Sequence, residues 1–131
     1  MYLRKILIVV TGTSSFANEN LPTGLWLSEF THIYHSAKER GYEIVIANPE
    51  GGNVPIDPES LESIFLDKIS KEYWESPGFR DMLHYVKGLG EVVGQLFDCI
   101  YLAGGHGAMY GFPNNTVFQT IAKVHYETDK I

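Results

Sequence analysis

The sequence predicts an α/β domain built on a parallel sheet, and three observations carry that reading. The stretches 5–10, apolar from Ile6 onward, and 99–103 carry continuous apolar runs with the length of strands buried on both faces. Between and after them lie segments whose apolar residues recur every three or four positions, giving the order β-α-β-(helices)-β-α. The run at 99–103 ends in Gly104, Gly105, His106 and Gly107. Glycines there let the backbone turn sharply and let a ligand approach the main chain. The carboxyl end of the strands is where open α/β sheets bind ligands. A plain tight turn would use the same residues.

Each element has its own justification. Residues 5–10 combine Ile, Leu and Val without a break and form the first strand. The polar stretch 11–21 is a loop leaving that strand at its carboxyl end. A helix follows over about 22–40, because Pro22 suits a first turn and Trp26, Phe30, Ile33 and Ala37 make a buried stripe. Gly41 closes it as the residue after the C-cap. The second strand is 43–47. Residues 48–58 form a structured loop with three prolines, and Asp57 caps a short helix starting at Pro58. Residues 61–96 read as helical, with breaks at 76–78 and 87–90. A final helix runs to about Glu127, capped by Asn114 or Asn115.

Composition sets the bounds. The chain has 131 residues, 44% hydrophobic and 20% charged, as expected of one globular domain. A net charge of −6 argues against a nucleic-acid partner. No apolar stretch approaches the roughly 20 residues of a membrane span. The apolar start is a first strand and not a signal peptide, since no small-residue cleavage site follows. One cysteine excludes an internal disulfide and suits a reducing cytoplasm. The loop at 11–15 lacks a glycine-rich nucleotide-binding pattern.

Candidate site residues are few. Glu29 lies at the edge of the helical stripe, either as a solvated boundary residue or as a partly buried acid aimed at a neighbouring site. His32, His35 and Glu39 have spacing that can hold a metal on one helical face, and also suits a plain boundary face. Cys99 sits inside a strand and reads as a core thiol.

Four blocks in order resemble one family: Thr23-Gly24 with Glu29 and His32; Gly41-Tyr42-Glu43; Pro49-Glu50-Gly51-Gly52 with Pro55-Ile56-Asp57-Pro58 and Ser60; and Ala103-Gly104-Gly105-His106-Gly107-Ala108-Met109. This set is similar to the ThiJ/PfpI superfamily, which has the class I glutamine-amidotransferase-like fold, in its heat-shock glyoxalase III and holding-chaperone branch. The resemblance covers about residues 5 to 131. It implies the N-terminal part of a flavodoxin-like, three-layer parallel-sheet domain, with residues 1–131 as one portion of that domain.

Matched position by position, the resemblance puts Glu29 on the acid that contacts the family's nucleophilic cysteine. Gly105 falls on the glycine whose N–H helps form the oxyanion hole, and His106 on its neighbour. His32 matches the histidine of a Glu-x-x-His-Pro block in which Ile33 replaces the proline, and it receives no chemical role. The family's cysteine comes later, in an Ala-x-Cys-His-Gly elbow after one more strand, and Cys99 does not occupy that position.

The implied reaction converts a 2-oxoaldehyde such as methylglyoxal to a 2-hydroxy acid. A thiolate attacks the carbonyl, a histidine and an acid move protons, and backbone N–H groups hold the oxyanion. No metal or organic cofactor is implied. The expectation is therefore the N-terminal part of such an enzyme in the cytoplasm, lacking the nucleophile and completed by a C-terminal half or by a homo-oligomer. An inactive truncated product, or a chaperone-like interaction module of the same superfamily, are the alternatives. In every case the strand at 97–103 should present an open edge, with Ile100, Leu102, Ile121 and Val124 incompletely covered.

Overall fold

The computed structural model describes residues 3–12, 24–103 and 116–127. Strand β1 (Lys5–Val9) is followed by helix α1 (Leu27–Glu39), β2 (Glu43–Asn48) and a 3-10 turn at Pro58–Leu61. Two short helices come next, α2 (Lys68–Trp74) and α3 (Pro77–Met82). Then come β3 (Lys87–Gly88), α4 (Leu89–Val92), β4 (Cys99–Leu102) and α5 (Thr116–Glu127). The sheet has the order β3-β2-β1-β4. All three pairings are parallel, with Ile6 opposite Ile44 on one side and Cys99 on the other.

The alternation of β1 sorts the core into two layers. Ile6, Ile8 and Val10 meet α1, α2 and α3 through Phe30, Ala37, Tyr73, Trp74, Phe79 and Leu83. Leu7 and Val9 point the other way and meet α4 and α5 through Leu89, Val92 and Ile121. β1 is thus apolar throughout because it is buried on both faces, as its sequence requires. Phe30 is fully buried, with its ring centroid 5.4 Å from that of Tyr34 and 5.9 Å from that of Phe79. Burial of an aromatic or large aliphatic side chain of this kind contributes roughly 1.5–3 kcal/mol. The three-layer parallel architecture expected from the sequence is present.

Several boundaries differ from the sequence reading. α1 begins at Leu27, five residues later than Pro22 suggests, because Leu25 is taken up in a parallel bridge with Ile56. Trp26 is therefore the N-cap, and its side chain makes no capping bond. The helix ends as expected: Gly41 has φ 73°, a left-handed conformation that suits glycine after a C-cap. Asp57 caps the 3-10 turn, its Oδ1 accepting from Glu59 N at 3.0 Å. The segment 61–96 is less helical than its spacing implies. Residues 62–67 are irregular, and Lys87-Gly88, read as a break, is the third strand, paired with Ala47 and Asn48.

β4 is an edge strand of the described sheet, in line with the open edge expected at 97–103, and so it is not buried on both faces as its apolar run alone suggests. Cys99, Ile100 and Tyr101 are half-buried, and Leu102 is 44% exposed. The expected cover of α5 is partly corrected as well. Ile121 is only 1% exposed because it closes against Leu7, Val9, Val92 and Phe97, whereas Val124 is half-buried. The proposed caps Asn114 and Asn115, and Pro22, lie outside the described residues.

Candidate active site

Helix α1 leaves the carboxyl end of β1, so its first turn stands at the end of the sheet where α/β folds bind ligands. Glu29 occupies that first turn. A carboxylate there is favoured by the partial positive charge of the helix N-terminus. The side chain is exposed, and no hydrogen bond or ion pair engages its carboxylate among the described residues.

The start of α1 is fixed by a strap. Leu25 N donates to Pro55 O at 2.8 Å, and Asp57 N donates to Leu25 O at 2.9 Å. The loop that supplies these partners is itself held from inside. Asn48 is 1% exposed, its Nδ2 donates to Asn53 O at 3.2 Å, and its Oδ1 accepts from Gly51 N at 2.6 Å. Gly24 adjoins the strap with φ 150°, and a Cβ there would stand 2.5 Å from Pro55 O. Only glycine fits that approach. Gly24→Ala is therefore expected to push the strap off Leu25 and cost about 1–3 kcal/mol of stability. Denaturant unfolding checks this, and an unchanged midpoint would show that the strap carries no strain.

β4 reaches the same sheet end. Ala103, 1% exposed, donates its N–H to Val9 O at 2.9 Å and immediately precedes Gly104 in the sequence. Gly105 and His106 themselves lie outside the described residues. The topology therefore brings the helix turn of Glu29 and the end of β4 to one edge of the sheet.

His32 and His35 do not converge on a common point. His32 Nε2 meets the Asp67 carboxylate, whose Oδ1 accepts from Ser70 N at 2.8 Å as the N-cap of α2. Desolvation pushes the Asp67 carboxyl up, but hydrogen bonds from Ser70 and His32 and the charge of His32 outweigh it and hold Asp67 below the usual range. His35 Nδ1 meets Tyr73 Oη at 2.8 Å, and its Nε2 meets Glu39 at 2.9 Å. These contacts clip α2 onto α1, backed by the Thr31–Ser70 hydroxyl pair at 2.5 Å. Among the described residues, no group of three or more His, Cys, Asp or Glu side chains is arranged to hold a metal. The clip was not anticipated because residues 61–96 were read as helical. The signal was Asp67 followed by Lys68-Ile69-Ser70, a capping aspartate before a helix.

Cys99 is placed away from this edge. It pairs with Ile6 at the amino end of the strands, four residues or roughly 13 Å of strand before Ala103. It borders a cavity of about 220 Å³ lined by Ile6, Ile33, Ala37, Arg40 and Tyr42. Desolvation pushes its thiol up, which is the opposite of nucleophile activation. No described helix is long and apolar enough to cross a membrane.

Fold and site geometry define a three-layer α/β domain whose acid-bearing helix opens onto the carboxyl edge of a parallel sheet. No protein-family model matches the chain. Glyoxalase 3 of Candida albicans is 27% identical over 126 residues, covering 94% of this chain and 53% of that protein. The glutathione-independent glyoxalase hsp3101 of Schizosaccharomyces pombe is 25% identical, covering 97% and 53%. Among solved structures, the 24 kDa rapid encystment protein of Francisella tularensis superposes with a TM-score of 0.88 at 32% identity, covering 98% of this chain and 56% of its own. Glyoxalase III from Candida albicans superposes at 0.80 with 26% identity, covering 98% and 54%.

In sequence and fold the chain is similar to the ThiJ/PfpI superfamily and, within it, to the glutathione-independent glyoxalases. It spans about half the length of the curated relatives it matches.

Proposed function

We propose that this chain contributes the acid and half of the oxyanion hole to a glyoxalase III-like site acting on a 2-oxoaldehyde such as methylglyoxal. The observation that carries the reading is the likeness to glutathione-independent glyoxalases along nearly the whole chain. Glu29 in the first turn of α1 is its acid; Gly105 offers a backbone N–H, with His106 beside it. The nucleophile comes from sequence outside these 131 residues, whose one cysteine lies at the wrong end of the strands for the reaction. The thiolate adds to the aldehyde carbon, and a proton then passes from that carbon to the neighbouring one to give a 2-hydroxy thioester. Water cleaves the carbon–sulfur bond, releasing the 2-hydroxy acid and the thiolate; Glu29 exchanges a proton with the sulfur and the substrate oxygens along the way. No organic cofactor takes part. Residues 1–131 serve as one portion of a single domain, joined by a C-terminal half or a second copy.

The test is methylglyoxal consumption by the purified chain, alone and mixed with a polypeptide carrying the Ala-x-Cys-His-Gly elbow. The chain alone is expected to be inert, and the mixture to turn over. Turnover by the chain alone that survives Cys99→Ser would mean that the nucleophile is not a cysteine. An inert mixture whose parts demonstrably associate favours the non-catalytic reading.

A further inference from the structure

His125 is a buried titratable group on α5 that the proposed chemistry leaves unused. It is 3% exposed and lies against Phe97, which is 1% exposed. Phe97 N donates to His125 Nε2 at 2.9 Å. On the other side of the ring, Nδ1 is 2.7 Å from Ile121 O. The imidazole stacks on the Phe97 ring, with centroids 5.8 Å apart and planes 24° apart.

These partners decide the ring's state. A main-chain N–H only donates and a carbonyl only accepts, so Nδ1 carries the proton and Nε2 is bare. The neutral imidazole satisfies both groups. A second proton on Nε2 would turn two donors toward each other, orphan the Phe97 amide and put charge into an apolar cluster.

Charged side chains stand on the elements around this contact. Lys5 of β1 sets its ammonium 5.7 Å from the Phe97 ring centroid. Asp98 accepts from Lys5 N at 2.9 Å. On α4, Glu91 accepts from Gly88 N at 2.7 Å. Lys123, on α5 itself, is exposed.

We propose that His125 is an acid-sensitive latch: neutral, it fastens α5 to the Phe97 amide; protonated, it lets α5 lift from the face formed by Leu7, Val9, Val92 and Phe97. The hydrogen bond joins two segments 28 residues apart, so its loss frees the helix without touching the β1 pairings on either side. The uncovered face is apolar, which makes release visible to a hydrophobic dye.

The experiment is amide exchange on the 131-residue chain from about pH 8 to about pH 5, the span in which imidazole changes charge, corrected for the pH dependence of intrinsic exchange. Protection at Phe97 and at 121–125 is expected to fall about tenfold or more while protection in β1 holds. In His125→Gln the side-chain oxygen can still accept from Phe97 N and takes no proton, so protection there should stay flat with pH. Flat protection in the wild type across that span, or an equal fall in the Gln variant, overturns the latch. If that variant does not fold, the ¹⁵N shifts of the wild-type ring decide: the Nδ1–H tautomer at high pH and loss of the Phe97 bond on titration support the latch, and the Nε2–H tautomer sinks it.

Discussion

On the proposed function, Glu29→Gln in the protein assembled with its elbow-bearing part is expected to lower methylglyoxal turnover by about 10²–10⁴-fold, the usual contribution of a positioned acid or base. Gln keeps the length and shape of Glu but has no proton to give up or take. The loss should fall on kcat, with KM for the aldehyde little changed. Stability should move little, within about 0.5 kcal/mol, because the side chain is exposed and surface changes away from packing features are small. That separation makes the variant informative: lower activity with unchanged unfolding and assembly is a chemical effect. Single-turnover kinetics on the assembled protein checks it, and an unchanged rate would reduce Glu29 to a surface residue at a helix start.

The second large effect concerns association. Among the described residues the sheet ends at β4, where Leu102 is 44% exposed and Ile100 and Tyr101 are half-buried. An exposed, apolar parallel edge invites a further strand. Fully burying an exposed aliphatic side chain is worth roughly 1.5–3 kcal/mol, so covering the exposed part of Leu102 and Ile100 is worth about 1 kcal/mol each, against a domain's stability of about 5–15 kcal/mol. The purified chain is therefore expected to sediment as a complex, either with itself or with a polypeptide supplying the next strand. Replacing Leu102 with Lys should weaken that complex by setting a charge at the edge. A cooperative monomer of 14.7 kDa with a bare β4 edge would rule the idea out.

What was legible in the sequence follows from local physics. β1 and β2 were visible because burial on both faces writes itself as unbroken Ile, Leu and Val. The end of α1 was visible because Gly41 has a conformation few other residues adopt. The Asp57 cap was visible because a carboxylate before Pro58 has one obvious use. The misses are all tertiary. β3 is two residues long, and it exists only because Ala47 and Asn48 offer it a ladder. The start of α1 slid to Leu27 because Pro55 and Asp57, some thirty residues away, claim the backbone of Leu25. At the site, the type and helix of Glu29 were readable, but its exposure was not, since a stripe-edge residue faces inward or outward according to what packs beside it. The partners of His32 and His35 depended on where α2 docks, which spacing within α1 does not encode.

The strand order has a consequence for how the chain is made. β1 is synthesised first, yet both its neighbours come later. Its β2 partner follows about 38 residues behind, Glu43 lying opposite Lys5, and Asp98, bonded to Lys5 N, comes 93 residues behind. Until synthesis has reached Leu102, Ile6 to Val9 have no closed edge on the β4 side. At roughly 5–20 residues per second of synthesis, that interval lasts several seconds. Pairings this distant in sequence also close slowly after release. The most buried of the described strands is thus the one that waits longest, with its apolar edge open to other chains in the meantime.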